Sequence, residues 1–132
     1  MKLIPILRVL AAFFFIVAGT FHFLKRDLYL QIIPPYLPSP ALLVAISGAA
    51  EIAGGIGLLI SPLRYAAGWG LIVLLIAVFP ANIDMLQHPG NFQVATWILW
   101  ARLPFQGVFI LWVWLVAIRP PHKRLIDAEA PH

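Results

Sequence analysis

Four long apolar stretches divide the chain, each close to the length a helix needs to cross a bilayer. A hydrocarbon core of about 30 Å requires roughly 20 helical residues at about 1.5 Å rise each. The first stretch runs from Ile4 to Leu24, the second from Ala41 to Ile60, the third from Tyr65 to Asp84 and the fourth from Trp97 to Ile118. Ser61-Pro62 follows the second and Pro120-Pro121 follows the fourth, as expected where helices stop. A soluble bundle would need a polar stripe along each helix, and the second and third stretches have almost none. The pattern predicts an all-α fold, an integral membrane four-helix bundle threaded up-down-up-down. Residues 1–118 form its transmembrane domain and residues 119–132 a polar tail.

The connections carry their own pattern. Residues 25–40 read KRDLYLQIIPPYLPSP, and four prolines exclude a regular helix from the second half. Ile32, Ile33, Tyr36 and Leu37 are too apolar for a free loop, so this segment is expected to lie in the interface and fold over one mouth of the bundle. His88-Pro89-Gly90-Asn91 is a turn cluster in the third connection. The tail RPPHKRLIDAEAPH is polar and Pro-rich, a composition expected to leave it mobile.

Composition supports the membrane reading. Among 132 residues, 62 % are hydrophobic and only 11 % charged, against about 25 % charged in soluble domains. The net charge of +4 does not point to nucleic acid, because the basic residues sit at segment ends and form no stripe. They set orientation instead. Lys2, Arg64, Arg119, Lys123 and Arg124 fall on one side and Lys25 and Arg26 on the other, five against two. The side richer in Lys and Arg is expected to be cytoplasmic, which puts both termini inside. Arg8, a turn inside the first helix, can snorkel to that side. Trp97 and Trp100 near one boundary, and Trp69, Trp112, Trp114 and Tyr65 near the other, resemble aromatic belts, with packing between helices as the alternative for some of them. Met1-Lys2 before an apolar run is how a signal peptide begins. Arg8 and the absence of a small-x-small site argue against cleavage. There are no cysteines, so disulfides, thiolate metal sites and a thiol nucleophile are excluded.

Inside the stretches the polar groups are few. Glu51 is about ten residues into the second helix, near the midplane, where an ionised carboxylate must be protonated or face a cation. Arg102 lies in the fourth helix with Gln106 one turn deeper on the same face. Glu51 is therefore expected to pair with Arg102 or to receive a hydrogen bond from Gln106. That contact reads either as part of a ligand site or as a latch between helices two and four. His22, Asn82 and Asp84 belong to the same outer layer, although His22 also reads as an interfacial histidine, and Asn82 and Asp84 as a helix end. Pro80 should free the carbonyl of Ile76, and Pro104 that of Trp100. Broken backbone beside polar residues reads as a cavity open to the outside.

Other signals are bland. Ser47, Gly48, Ala50, Gly54, Gly55 and Gly57 read as close helix packing. E-I-A-G-G-I-G lacks the strand and the Lys-Ser/Thr of a phosphate loop. His22 and His88 show no haem-ligand spacing, and no metal set is apparent. A faint internal echo matches Ala18–His22 to Pro80–Asp84 and Glu51 to Arg102, as two parallel repeats would.

The stretches AGTFHF (18–23), PPYLPSP (34–40), SGAAEIAGGIGLLI (47–60), VFPANIDM (78–85) and RLPFQGVFILWVW (102–114) resemble the DoxX-like family of small bacterial membrane proteins. The resemblance covers almost the whole chain except the tail. It implies a four-helix bundle in the bacterial inner (plasma) membrane, a loose link to redox biology, and emphasis on His22, Glu51, Asn82, Arg102 and Gln106. It also implies relatives that serve quinone-linked oxidoreductases or act as membrane chaperones. The absence of cysteine sets this chain apart from relatives with thiol chemistry.

The leading expectation is an accessory protein tied to redox or envelope stress that binds a small amphipathic molecule such as a quinone. Its site would be the outer-half cluster His22, Glu51, Asn82, Asp84, Arg102 and Gln106. Three rivals stay open: a membrane subunit of a quinone-linked oxidoreductase, a small solute or proton-coupled transporter acting as a homodimer, and an assembly factor that holds a client protein. No catalytic or cofactor motif is present to mark it as an enzyme.

Overall fold

The computed structural model of the protein describes residues 3–88 and 95–119, apart from the side chain of Ile32. The Pro89-Gly90-Asn91 turn, the polar tail, Lys2, Lys123 and Arg124 lie outside the described residues. Within them the fold is all-helical. Helix α1 spans Leu3–Leu24, α2 Arg26–Ile32, α3 Pro40–Leu59, α4 Arg64–Ala77, α5 Phe79–Gln87 and α6 Thr96–Val113. A 3-10 turn over Ser61–Leu63 joins α3 to α4, and a π-helical stretch over Trp114–Ile118 extends α6. Four helical runs are long and apolar enough to cross a membrane: Leu3–Leu24, Pro40–Leu59, Ser61–Gln87 and Thr96–Ile118.

Proline marks the boundaries, because it lacks the N–H that a helix interior needs. Pro40 and Pro62 stand at helix starts, where that N–H would be unpaired in any case. Ser39, just before α3, is the only non-glycine at positive φ (50°) among the described residues, and it turns the chain into the bundle. Pro80 divides the third span into α4 and α5, with Val78 between them. Pro104 is carried inside α6.

The four spans form a ring. Helix α1 packs on α3, α3 on α4, α4 on α6 and its extension, and these in turn on α1. Every neighbouring pair is antiparallel: Gly55 meets Ala12 and Ile16, Gly57 meets Ala67, and Gly68 meets Ala117. Phe14 stacks on Phe109 at 4.8 Å between ring centroids. The apolar core, with Ala11, Ala12, Phe15, Leu58, Leu71, Ile72, Val113 and Val116, fills the half of the ring nearer Arg8 and Arg64. Arg8 lies inside a span and does more than reach toward water. Its Nε donates to the Val116 carbonyl at 2.9 Å, in the stretch where the π-helical turn has changed the backbone pairing. Arg64 Nε likewise donates to the carbonyl of Leu58. Trp112 bridges two helices. Its indole N–H donates to the Leu7 carbonyl at 3.1 Å, and its ring packs between α1 and α6.

At the other end, α2 lies across α1, α3 and α5. Pro34 in the segment that follows is fully buried, whereas Tyr36 is exposed. The outward faces remain apolar, with Phe13, Val73, Trp97 and Leu111 each more than half exposed. That distribution suits lipid as the surrounding solvent and would be an aggregation hazard in water. Hydroxyls that face this environment bond back along their own helices, Thr20 to the Ile16 carbonyl and Ser47 to the Leu43 carbonyl.

Close packing generates a stability prediction. A β-carbon at Gly55 would stand 2.8 Å from the Ala12 carbonyl oxygen, whereas one at Gly70 would meet nothing within 4 Å. Gly55→Val is expected to lower stability by about 1–3 kcal/mol through overpacking, and Gly70→Ala to cause no loss. Thermal unfolding in detergent reads both.

Candidate functional site

The polar residues form two separate groups, one in each helical hairpin. In the α1–α3 hairpin the helices touch through a reciprocal pair of glycines. A β-carbon on Gly19 would lie 2.6 Å from the Gly48 carbonyl oxygen and 3.0 Å from Glu51 Cβ. One on Gly48 would lie 2.7 Å from His22 Cβ. Each glycine thus makes room for the ionisable residue of the opposite helix. His22 follows Gly19 by three positions and Glu51 follows Gly48 by three, so glycine and partner share a helix face.

This crossing brings His22 Nε2 to 3.3 Å from Glu51 Oε2, with both side chains largely buried at 11 % and 15 % exposed. On the far edge of the ring, Nδ1 lies 3.2 Å from the carbonyl oxygen of Val44. A carbonyl only accepts, so that contact places a hydrogen on Nδ1 and leaves Nε2 to face the acid. Glu51 Oε2 is buried and has no hydrogen-bond donor assigned to it among the described residues. Tyr29 of α2 covers the imidazole, its ring centroid 4.1 Å from that of His22. Burial pushes the Tyr29 hydroxyl above its ordinary pKa, the Glu51 carboxylate pushes the same way, and the Arg102 guanidinium opposes them. Tyr29 therefore stands within electrostatic reach of both Glu51 and Arg102.

The second group joins α4, α5 and α6. Asn82 Nδ2 donates to Gln106 Oε1 at 2.6 Å, and Gln106 Nε2 donates in turn to the carbonyl of Leu75. Both amides are buried. The acceptor lies one residue before Ile76, whose carbonyl Pro80 was expected to free. It sits in the last turn of α4, just before the break at Val78, where the Gln106 amide gives the backbone a side-chain donor. Beside this relay a groove of about 520 Å³ runs between α4–α5 and α6. Its walls are apolar, with Val78, Trp97, Phe105 and Phe109, and its polar groups are Asn82, Arg102 and Gln106. No carboxylate oxygen lies within 4 Å of Arg102 among the described residues.

Two expectations are corrected. Glu51 pairs neither with Arg102 nor with Gln106; its ionisable neighbour is His22, and Gln106 is already engaged by Asn82 and Leu75. Helices two and four of a four-helix ring are diagonal. Neighbours pack 8–10 Å apart, so diagonal axes are roughly 11–14 Å apart, and shared depth does not produce contact. The single cluster also divides: Asn82, Arg102 and Gln106 line the groove, His22 and Glu51 lie together elsewhere, and Asp84 joins neither. Asp84 lies in the last turn of α5, its carboxylate 3.4 Å from His88 Nδ1 and its carbonyl accepting the His88 N–H. Tyr29 and the Val44 carbonyl were missed. The apolar character of residues 25–40 placed that segment over a mouth, but nothing in the spacing singled out Tyr29, and a backbone acceptor leaves no mark in sequence.

The amide relay is testable. Gln106→Leu strands both Asn82 and the Leu75 carbonyl, so a cycle of Asn82→Leu, Gln106→Leu and the double variant should show coupling. The expected size is about 0.6–1.7 kcal/mol, the range for interhelical hydrogen bonds in membranes. Unfolding in mixed micelles measures it, and additive losses would mean that the two amides act independently.

No curated protein and no solved structure matches the chain. Residues 10–117 match the family described as a domain of unknown function, DUF8561. That range takes in the second and third spans whole, most of the first and fourth, and His22, Glu51 and the groove residues, and the chain belongs to this family.

Proposed function

We propose that the protein is a multi-pass inner-membrane protein that binds a small amphipathic molecule, of the quinone type, in the groove between α4–α5 and α6. The observation that carries this reading is the groove's makeup: apolar walls reaching the lipid-facing surface, with hydrogen-bond donors at one place. Arg102 offers its guanidinium, and Asn82 and Gln106 each retain one amide hydrogen beyond those already used. These donors suit a head group rich in acceptors, such as the carbonyl oxygens of a quinone. Trp97, Phe105 and Phe109 would hold its apolar body. Trp97 and Phe105 are well exposed, so the ligand would enter sideways from the bilayer.

The resemblance to DoxX-like proteins favours an accessory role linked to redox or envelope stress in a bacterial inner membrane. A quinone-linked oxidoreductase would then be the neighbouring subunit or client. The assembly-factor reading draws on a different observation: Asn82 and Gln106 already satisfy each other, as a latch without ligand would. Mass spectrometry of organic extracts from gently purified protein separates the two. The wild type should carry an amphiphile with an acceptor head group. Arg102→Gln, which loses a charged donor worth about 1.5–3 kcal/mol, should retain roughly ten- to a hundredfold less. A wild type free of any such molecule would leave the latch.

Orientation is part of the same proposal, with Arg64 and both termini on the cytoplasmic face. Because the chain has no cysteine, single introduced thiols report sidedness directly. In right-side-out vesicles, an impermeant maleimide should label Asp27→Cys and should reach Ser61→Cys only after lysis. The reverse pattern would invert the topology.

A further inference from the structure

We propose that His22 and Glu51 form a binding site for one exchangeable proton, covered by Tyr29 and separate from the amphiphile groove. The argument is one of hydrogen positions. The Val44 carbonyl fixes a hydrogen on His22 Nδ1, so Nε2 presents either a lone pair or a second N–H to Glu51 Oε2 at 3.3 Å. With no proton in that gap, a lone pair faces a carboxylate oxygen, and Oε2 stays buried without a donor. With two protons, N–H faces O–H and the pair carries a net positive charge. With one, the contact is a hydrogen bond and the pair is neutral overall, whether the hydrogen sits on nitrogen or oxygen. Neutrality is what a lipid-solvated bundle favours at this depth.

Among the described residues the surroundings supply no competing partner. From α2, Tyr29 stacks on the imidazole, while Lys25, Arg26 and Asp27 are exposed. From α4, Arg64 and Tyr65 stand at the opposite end of the bundle. From α5, Asp84 is taken up with His88. From α6, Arg102 lies more than 4 Å from Glu51. The remainder of α1 offers Arg8, which bonds Val116. The half of the ring beyond Glu51 is the apolar core, so the proton exchanges through the mouth beneath α2 and not across the bundle.

The test uses full-length protein in which His88, His122 and His132 are changed to Gln, labelled with nitrogen-15 histidine so that only His22 reports. The Nδ1 resonance should remain that of a protonated nitrogen throughout. The Nε2 resonance should show a hydrogen-bonded nitrogen near neutral pH and move in a single step as pH rises and the shared proton leaves. In Glu51→Gln, whose amide donates permanently to Nε2, that step should vanish while the fold persists. An Nε2 signal of a free imidazole at every pH would overturn the proposal. So would an unmoving signal in wild type, or the same titration in Glu51→Gln. Should Glu51→Gln fail to fold, Glu51→Asp, which keeps the carboxyl but shortens its reach toward Nε2, serves in its place. It should weaken the hydrogen-bonded Nε2 signal and move the step, and an unchanged signal and step would overturn the proposal.

Discussion

A polar side chain inside a lipid-solvated bundle has only other protein groups to satisfy it, and the arrangement of this molecule depends on how Glu51 meets that demand. Little of the Glu51 carboxylate reaches the surface, so a partner must be brought within contact distance. The partner is brought by backbone, not by side-chain reach. Gly19 and Gly48 let α1 and α3 approach until each helix touches the other's β-carbons. His22 and Glu51 then face one another across the crossing, 3.3 Å apart. The same logic explains the hydrogen on His22 Nδ1: the Val44 carbonyl holds the ring in the orientation that turns Nε2 to the acid.

The second hairpin solves a related problem with uncharged groups. Proline at position 80 interrupts the third span, and backbone left unpaired in lipid is costly. The Gln106 amide fills the disturbed region, and Asn82 holds that amide in place. Each hairpin thus closes its own polar contact, acid on imidazole in one and amide on amide in the other. The faint sequence echo between the halves falls on these same pairs of helices. Arg102 is left beside a groove, and through Tyr29 it shares an electrostatic environment with Glu51.

The apolar half of the ring has a different role. It holds the four helices together through buried aliphatic and aromatic packing. The interhelical side-chain bonds there among the described residues come from Arg8, Arg64 and Trp112, all to backbone carbonyls. The polar pairs His22–Glu51 and Asn82–Gln106 are concentrated in the opposite half.

Much of this could be read from the chain alone. The four spans, their proline-marked ends and the segment lying over a mouth follow from hydropathy and from proline's missing donor, which act locally. That Glu51 needs a partner follows too, since desolvation depends on depth and depth can be counted along a helix. Which residue answers it could not be read, because depth fixes one coordinate of three. Position around the ring depends on which helices are adjacent and how each is rotated about its axis. The diagonal placement of α3 and α6 removed Arg102 and Gln106 from reach of Glu51, and the glycine crossing supplied His22 instead. Tyr29 was decided the same way: only the path of α2 across α1 and α3 sets its ring on the imidazole, and no periodicity in residues 25–40 encodes that path.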